Sequence, residues 1–142
     1  MCAIINIDFE AIGNWAERKA LPYSGYADLA SREEVYAVVR ECVDKVNSDL
    51  AQEPEVANSQ IHRFLVLHKE LDPDDEELTR TRKVRRGFIA QKYAPLIEAL
   101  YSDRTECHIE TQVRFEDGRT GMIAADLKII DARVAAPLAK AA

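Results

Sequence analysis

Between Val35 and Leu50 the residues Val35, Val38, Val39, Cys42, Val43, Val46 and Leu50 recur at helical spacing, with Glu33, Arg40, Glu41, Asp44 and Lys45 opposite them. The pattern lays an apolar stripe along one side of a long helix, and another element must cover that stripe. Ser31 and Glu34 have the spacing of a capping box, which predicts the helix start. Glu41 and Lys45 form a favourable i,i+4 pair on the outer face. Pro54 lies beyond the helix end. On this reading Cys42 is a small hydrophobe within the buried stripe.

Short strands and further helices are the available partners. Cys2 to Ile7 carries isoleucines at 4, 5 and 7, the pattern of a strand buried on both faces. Asp8 is placed to N-cap a helix with Ile12, Trp15 and Ala16 on one face, although Gly13 weakens that helix. Leu21 to Tyr26 breaks the pattern. Ile61 to Leu67 is a second strand, and helical sequence from Val84 to Tyr101 is divided by Pro95. From Cys107 onward Ile109, Thr111, Val113 and Phe115 alternate, Asp117-Gly118 signals a turn, and Met122 to Ile129 can return. An Ala-rich stretch, 135–142, ends the chain. The expected fold class is α/β (α+β): a small central sheet of about three strands flanked by helices, with an appended C-terminal β-hairpin.

At 142 residues and 47% hydrophobic, the chain can build one real core. A net charge of −6 argues against general affinity for nucleic acid or anionic membrane. Cys2, Cys42 and Cys107 show neither metal-ligand spacing nor a disulfide framework, which fits reduced thiols in a cytosolic protein. No apolar stretch approaches the ~20 residues needed to cross a bilayer. No basic region precedes Cys2-Ala3-Ile4-Ile5, so the start does not read as a signal peptide. His62, His68 and His108 lack ligand-like company and Trp15 reads as core, so no metal site is expected. Charge is concentrated instead in one block. Asp72, Asp74, Asp75, Glu76 and Glu77 are followed by Arg80, Arg82, Lys83, Arg85 and Arg86. The block is either a solvated loop or a basic cluster that meets phosphate or carboxylate.

The stretch Glu77-Leu78-Thr79-Arg80-Thr81-Arg82-Lys83-Val84-Arg85-Arg86, followed by Tyr93-Ala94-Pro95-Leu96-Ile97-Glu98-Ala99-Leu100-Tyr101, resembles the closing motif of long-chain fatty acid–CoA ligases. Those enzymes belong to the AMP-forming, adenylate-forming synthetase superfamily. The upstream order agrees over about residues 1–101: an apolar strand, a helix with a Trp, a long helix containing Val43-Asp44-Lys45-Val46-Asn47, then the strand at Ile61–Leu67. One departure is local. Many members of the wider superfamily place Ser-Gly before the lysine, where this chain has Thr81-Arg82.

The resemblance implies that residues 1–104 form the C-terminal lid domain of such a ligase, with 105–142 a β-hairpin extension and Ala-rich tail of unassigned role. It implies that Lys83 is the catalytic lysine, bridging the carboxylate and the adenylate near the ribose. Arg82, Arg85 and Arg86 would attract the phosphates of ATP or CoA, or else serve as surface salt-bridge partners. Thr79 and Thr81 would cap the following helix or brace the loop. The partner implied is the enzyme's own large N-terminal adenylation domain, with its phosphate loop and hinge motif. This chain has five glycines, none clustered, and begins directly on a core strand, which reads as a cut. ATP, Mg2+ and CoA would be bound mainly by that other domain, and the isolated chain is expected to be inactive on fatty acid. The expected location is cytoplasmic, with any peripheral membrane contact arising through the parent enzyme. A strand edge exposed at residue 1 would favour self-association of the fragment. Two readings from other classes stand beside this one. The first is a stand-alone protein-interaction module using the loop at 72–86. The second is a nucleic-acid binder using Arg80–Arg86, disfavoured by the acidic net charge and the lack of interleaved aromatics.

Overall fold

The structure, a computed structural model, describes residues 1–115 and 117–136. Along the chain run β1 (Cys2–Ile5), α1 (Phe9–Arg18), α2 (Tyr26–Ser31), α3 (Glu33–Ala51), a 3-10 turn (Ala57–Ser59) and β2 (Arg63–Val66). These are followed by α4 (Arg86–Lys92), α5 (Ala94–Leu100), β3 (Glu106–Arg114), β4 (Thr120–Lys128) and β5 (Ile130–Asp131). The result is the expected mixed α/β class. A three-stranded sheet has the order β1-β2-β5, with β1 parallel and β5 antiparallel to β2, and β3 pairs with β4 as a separate antiparallel hairpin.

The period-2 alternation of β2 explains the layering. Phe64 and Val66 face one way, into a cluster with Ile7, just past β1, and with Ala16, Leu29, Val35, Tyr36 and Val43 from the first three helices. Leu65 and Leu67 face the other way, into a cluster with Tyr93, Leu96, Ala99 and Leu100 around α5. The hairpin closes this second cluster: Cys107, Ile109, Leu127 and Ile129 are buried in it. Burying one such side chain contributes about 1.5–3 kcal/mol, so residues beyond 104 carry a substantial share of this core.

Several local expectations hold. Asp8 caps α1 by accepting from Ala11 N–H at 3.0 Å. Gly13 sits where an added Cβ would lie 2.8 Å from the Tyr23 hydroxyl, so close packing, not loose helix, accounts for the glycine. The helical stretch after Val84 breaks at Tyr93, with Pro95 in the first turn of α5.

Three expectations are corrected. Ser31 does not form a capping box with Glu34. It ends α2, a helix that periodicity missed, and its hydroxyl donates to Asp28 O at 2.8 Å. The N-cap of α3 is Arg32, without a side-chain cap. Cys42 is exposed, as is Val46, because the covered stripe of α3 is rotated to Val35, Tyr36, Val43, Asn47 and Ala51. Third, no ion pair joins Glu41 to Lys45 among those of the described residues.

The rotation of α3 has a physical cause in the tail. Asn47 is fully buried; its amide accepts from Ile61 N–H at 2.8 Å and donates to the carbonyls of Ile61 and Arg133 at 2.8 and 3.0 Å. Gln60 similarly exchanges two hydrogen bonds with the backbone of Ala135, each at 2.8 Å. Tyr36 hydroxyl accepts from Val66 N–H and donates to Lys128 O. Arg63 on β2 pairs with Asp131 at 3.0 Å and turns its guanidinium onto the carbonyls of Ala99, Leu100, Ser102 and Arg104 at the end of α5. Most of the Ala-rich end, 137–142, lies outside the described residues.

Asn47→Ala should lower the unfolding free energy by about 2–4 kcal/mol in a urea titration, because buried backbone groups lose their partner. Cys42→Ser, on the exposed side of the same helix, should stay within about 0.5 kcal/mol of wild type.

Candidate functional site

Residues 78–84 form a short hairpin standing on the body of the fold. Leu78 and Val84 make an antiparallel bridge, and Thr79 N–H donates to Lys83 O at 2.8 Å. Arg82 N–H donates to Thr79 O at 2.9 Å, and Arg82 itself lies at φ 60°. A turn closed by a left-handed residue is a common three-residue hairpin loop, and that last position favours glycine. Thr79 hydroxyl accepts from Lys83 N–H and lies beside Thr81 hydroxyl, both at 3.0 Å. The two threonines therefore brace the loop and do not cap a helix.

Lys83 follows the turn. It is exposed and makes no ion pair among the described residues. The three arginines have different settings. Arg82 occupies the strained turn position. Arg85 folds back, donating to Glu76 O at 3.0 Å with its guanidinium 5.3 Å from the centre of the Phe88 ring. Arg86 opens α4 and, with Val84, Ile89 and Tyr101, lines a groove of about 440 Å³ beside the hairpin. The clustering in sequence thus becomes a turn, a packing contact and a groove wall.

The acidic half of the block behaves differently. Glu77 is fully buried, and its carboxylate takes hydrogen bonds from Lys69 ammonium, Tyr93 hydroxyl and, at 3.3 Å, Asp72 N–H. Lys92 Nζ stands 3.5 Å from the same carboxylate. Asp75 pairs with Lys69 at 2.9 Å and accepts from Arg114 N–H of β3 at 2.8 Å. Burial opposes ionisation of Asp75, but the Arg114 N–H and Lys69 outweigh it and hold its carboxyl below the usual range. Burial, with Glu77 accepting its hydrogen bond, pushes the Tyr93 phenol far up. Sequence reasoning missed Glu77, Lys69 and Lys92. Their one signal was that Glu77 heads the Glu-Leu-Thr motif.

His68, just past β2, is buried with Nε2 3.0 Å from Thr111 hydroxyl and Nδ1 unpartnered among the described residues. Burial, aided by Lys69, lowers it to about 4 from an ordinary 6.5. His62 is exposed. His108 is exposed too, its imidazole held above the ordinary range by Asp126 at 2.7 Å and by Glu110. Among the described residues no three His, Cys, Asp or Glu side chains gather into a potential metal site.

Two outcomes follow from this geometry. Arg82→Gly should raise stability by about 0.5–1 kcal/mol by relieving the left-handed conformation, whereas Arg82→Val should lower it; thermal melts read both. The unfolded chain takes up the His68 proton near pH 6.5 while the folded one resists it to about pH 4, so folding stability should fall across that window as pH drops. In His68→Leu the stability profile between those values should be flatter than in wild type.

No protein-family model matches the chain, and no solved structure matches it significantly. Curated relatives do. A long-chain-fatty-acid–CoA ligase, FadD15, of Mycobacterium tuberculosis is 32% identical over 101 residues, covering 70% of this chain, and its Mycobacterium bovis counterpart gives the same values. A long-chain-fatty-acid–CoA ligase, ACSBG2, of Gallus gallus is 37% identical over 70 residues, 49% of this chain. The chain spans 16% of the length of the mycobacterial relatives and 8% of the avian one. With the motif that carries Lys83, this similarity makes the chain a homologue of one segment of the fatty-acid–CoA ligases.

Proposed function

We propose that the chain is the mobile C-terminal domain of a fatty acid–CoA ligase, in which Lys83 supplies the cation for acyl-adenylate formation. The observation that carries this reading is the setting of Lys83. It is an exposed lysine without an ion pair among the described residues, on a braced hairpin whose base is anchored in the core. Forming an acyl adenylate brings a carboxylate up to the α-phosphate of ATP, and negative charge builds as pyrophosphate leaves. A preorganised ammonium at that junction stabilises the developing charge without reorganising at the moment of reaction. Lysine suits a station that is entered and left, since its charge is compact and its stem flexible. Arg82 and Arg86 stand near enough in sequence to add positive potential toward nucleotide or CoA phosphates. Arg85 is committed to Glu76 and Phe88.

The rest of the active site, including the fatty acid pocket and most nucleotide contacts, belongs on this reading to the large adenylation domain. Magnesium would come with the nucleotide. The described residues offer no cluster of His, Cys, Asp or Glu to hold it. After adenylation the domain would rotate, withdraw Lys83 and complete the path for the CoA thiol, a lid motion with two stations. The competing reading, a stand-alone docking module built on the loop at 72–86, is weakened by the loop itself. Asp75 and Glu77 are spent on internal lysines and do not face a partner.

The test is Lys83→Ala in the ligase that carries this chain, with the two half-reactions followed separately. Adenylate formation should fall by ~10²–10³, while thioester formation from supplied acyl adenylate and CoA should survive. Near wild-type rates in both would make Lys83 a surface base.

A further inference from the structure

We infer that Glu77 is a positioning residue: through its buried carboxylate it sets the pose of the hairpin that carries Lys83. This rests on the reading of Lys83 as the adenylation lysine and adds to it a residue that meets no substrate.

The hairpin cannot set its own orientation. The Leu78–Val84 bridge, the turn and the Thr79 bonds fix its internal shape, but a two-stranded ribbon that short has little stability apart from the body of the fold. Its attachment to the body is Glu77. Glu77 N–H donates to Asp72 O at 3.2 Å and Glu77 O accepts from Arg85 N–H at 3.0 Å, so this residue gathers both ends of the excursion. Its side chain then ties the stalk to separate parts of the fold. Lys69 comes from the exit of β2, Lys92 from the last turn of α4, and Tyr93 from the junction of α4 and α5. Lys69 also holds Asp75, which accepts from Arg114 on β3. The exit of β2 and the α4–α5 junction therefore converge on one anchor six residues before Lys83, and the C-terminal hairpin is joined to it through Asp75 and Lys69.

Packing alone does not explain the choice of side chain. Apolar residues of similar volume often replace a buried ion cluster without loss of stability, and the best-attested use of such clusters is to specify one geometry. A carboxylate that needs several donors at once is satisfied in a single orientation of the stalk, whereas an apolar plug tolerates rotation. A displacement of about 1 Å of a catalytic group can cost on the order of 10²-fold in rate.

The test is a mutant cycle in the ligase that carries this chain, with both half-reactions measured. Glu77→Gln keeps the shape and removes the charge. It should lower adenylation at least tenfold through kcat, leave thioester formation from supplied adenylate within about twofold, and add nothing in a Lys83→Ala background. Hydrogen exchange should show faster loss at Thr79 and Arg82 amides in Glu77→Gln. If Glu77→Gln fails to fold, Tyr93→Phe, which removes one donor and keeps both lysines, carries the same comparison with a several-fold effect. Should Lys83→Ala abolish adenylation while a folded Glu77→Gln or Tyr93→Phe leaves it within twofold, the inference is overturned and the reading of Lys83 stands. Equal, additive losses in both half-reactions would likewise overturn it, marking Glu77 as general scaffold. An unaffected Lys83→Ala overturns the reading of Lys83 and this inference with it.

Discussion

A carboxylate without exposed surface, held by two ammonium groups and a phenol, is the constraint around which this fold is arranged. Removing Glu77 from water is costly, and the cost is offset only while Lys69, Lys92 and Tyr93 all point at it. That condition fixes where β2 ends, where α4 hands over to α5, and how the acidic loop enters between them. The exposed basic hairpin is downstream of the same condition. Its charged tip is exposed, while its stalk is tied to the buried carboxylate.

The sequence made legible what depends on period and on local chemistry. The alternation of β2 placed Phe64 and Val66 on one side and Leu65 and Leu67 on the other, Asp8 announced α1, and Asp117-Gly118 announced the β3–β4 turn. What it hid depends on distant partners. Asn47 looks like a polar interruption of the α3 stripe, yet it is buried while Val46 is exposed, because its amide satisfies backbone far along the chain. Ser31 and Glu34 had the right spacing for a cap, but α2 had already claimed Ser31. The charge block hid its own division of labour: the spacing of Asp75 and Glu77 says nothing of the lysines that draw them inward. The motif singled out Lys83, and Glu77 heads that motif without announcing its burial.

The segment beyond residue 104 shares the core of the segment before it. Cys107, Ile109, Leu127 and Ile129 complete the apolar cluster under α5, β5 supplies the third strand, and Gln60 and Asn47 pin the tail that follows. Arg114 reaches the acidic loop through Asp75. The packing around the hairpin that carries Lys83 therefore draws on residues beyond 104.

Arg63 has a consequence for the order in which this chain can assemble. Helix α5 spans seven residues, too short to persist alone, and the guanidinium that covers its terminal carbonyls comes from β2, 36 to 41 positions earlier. The end of the helix is thus stabilised by a strand that itself waits for β1 and β5, each more than sixty residues away in register. Chain entropy must be surrendered over these long loops before any of the contacts reward it. The β3–β4 ribbon and α3 close on near neighbours and escape that cost. Local elements can form early, while the sheet, α5 and the residues they orient are gained together, late, and as one cooperative unit.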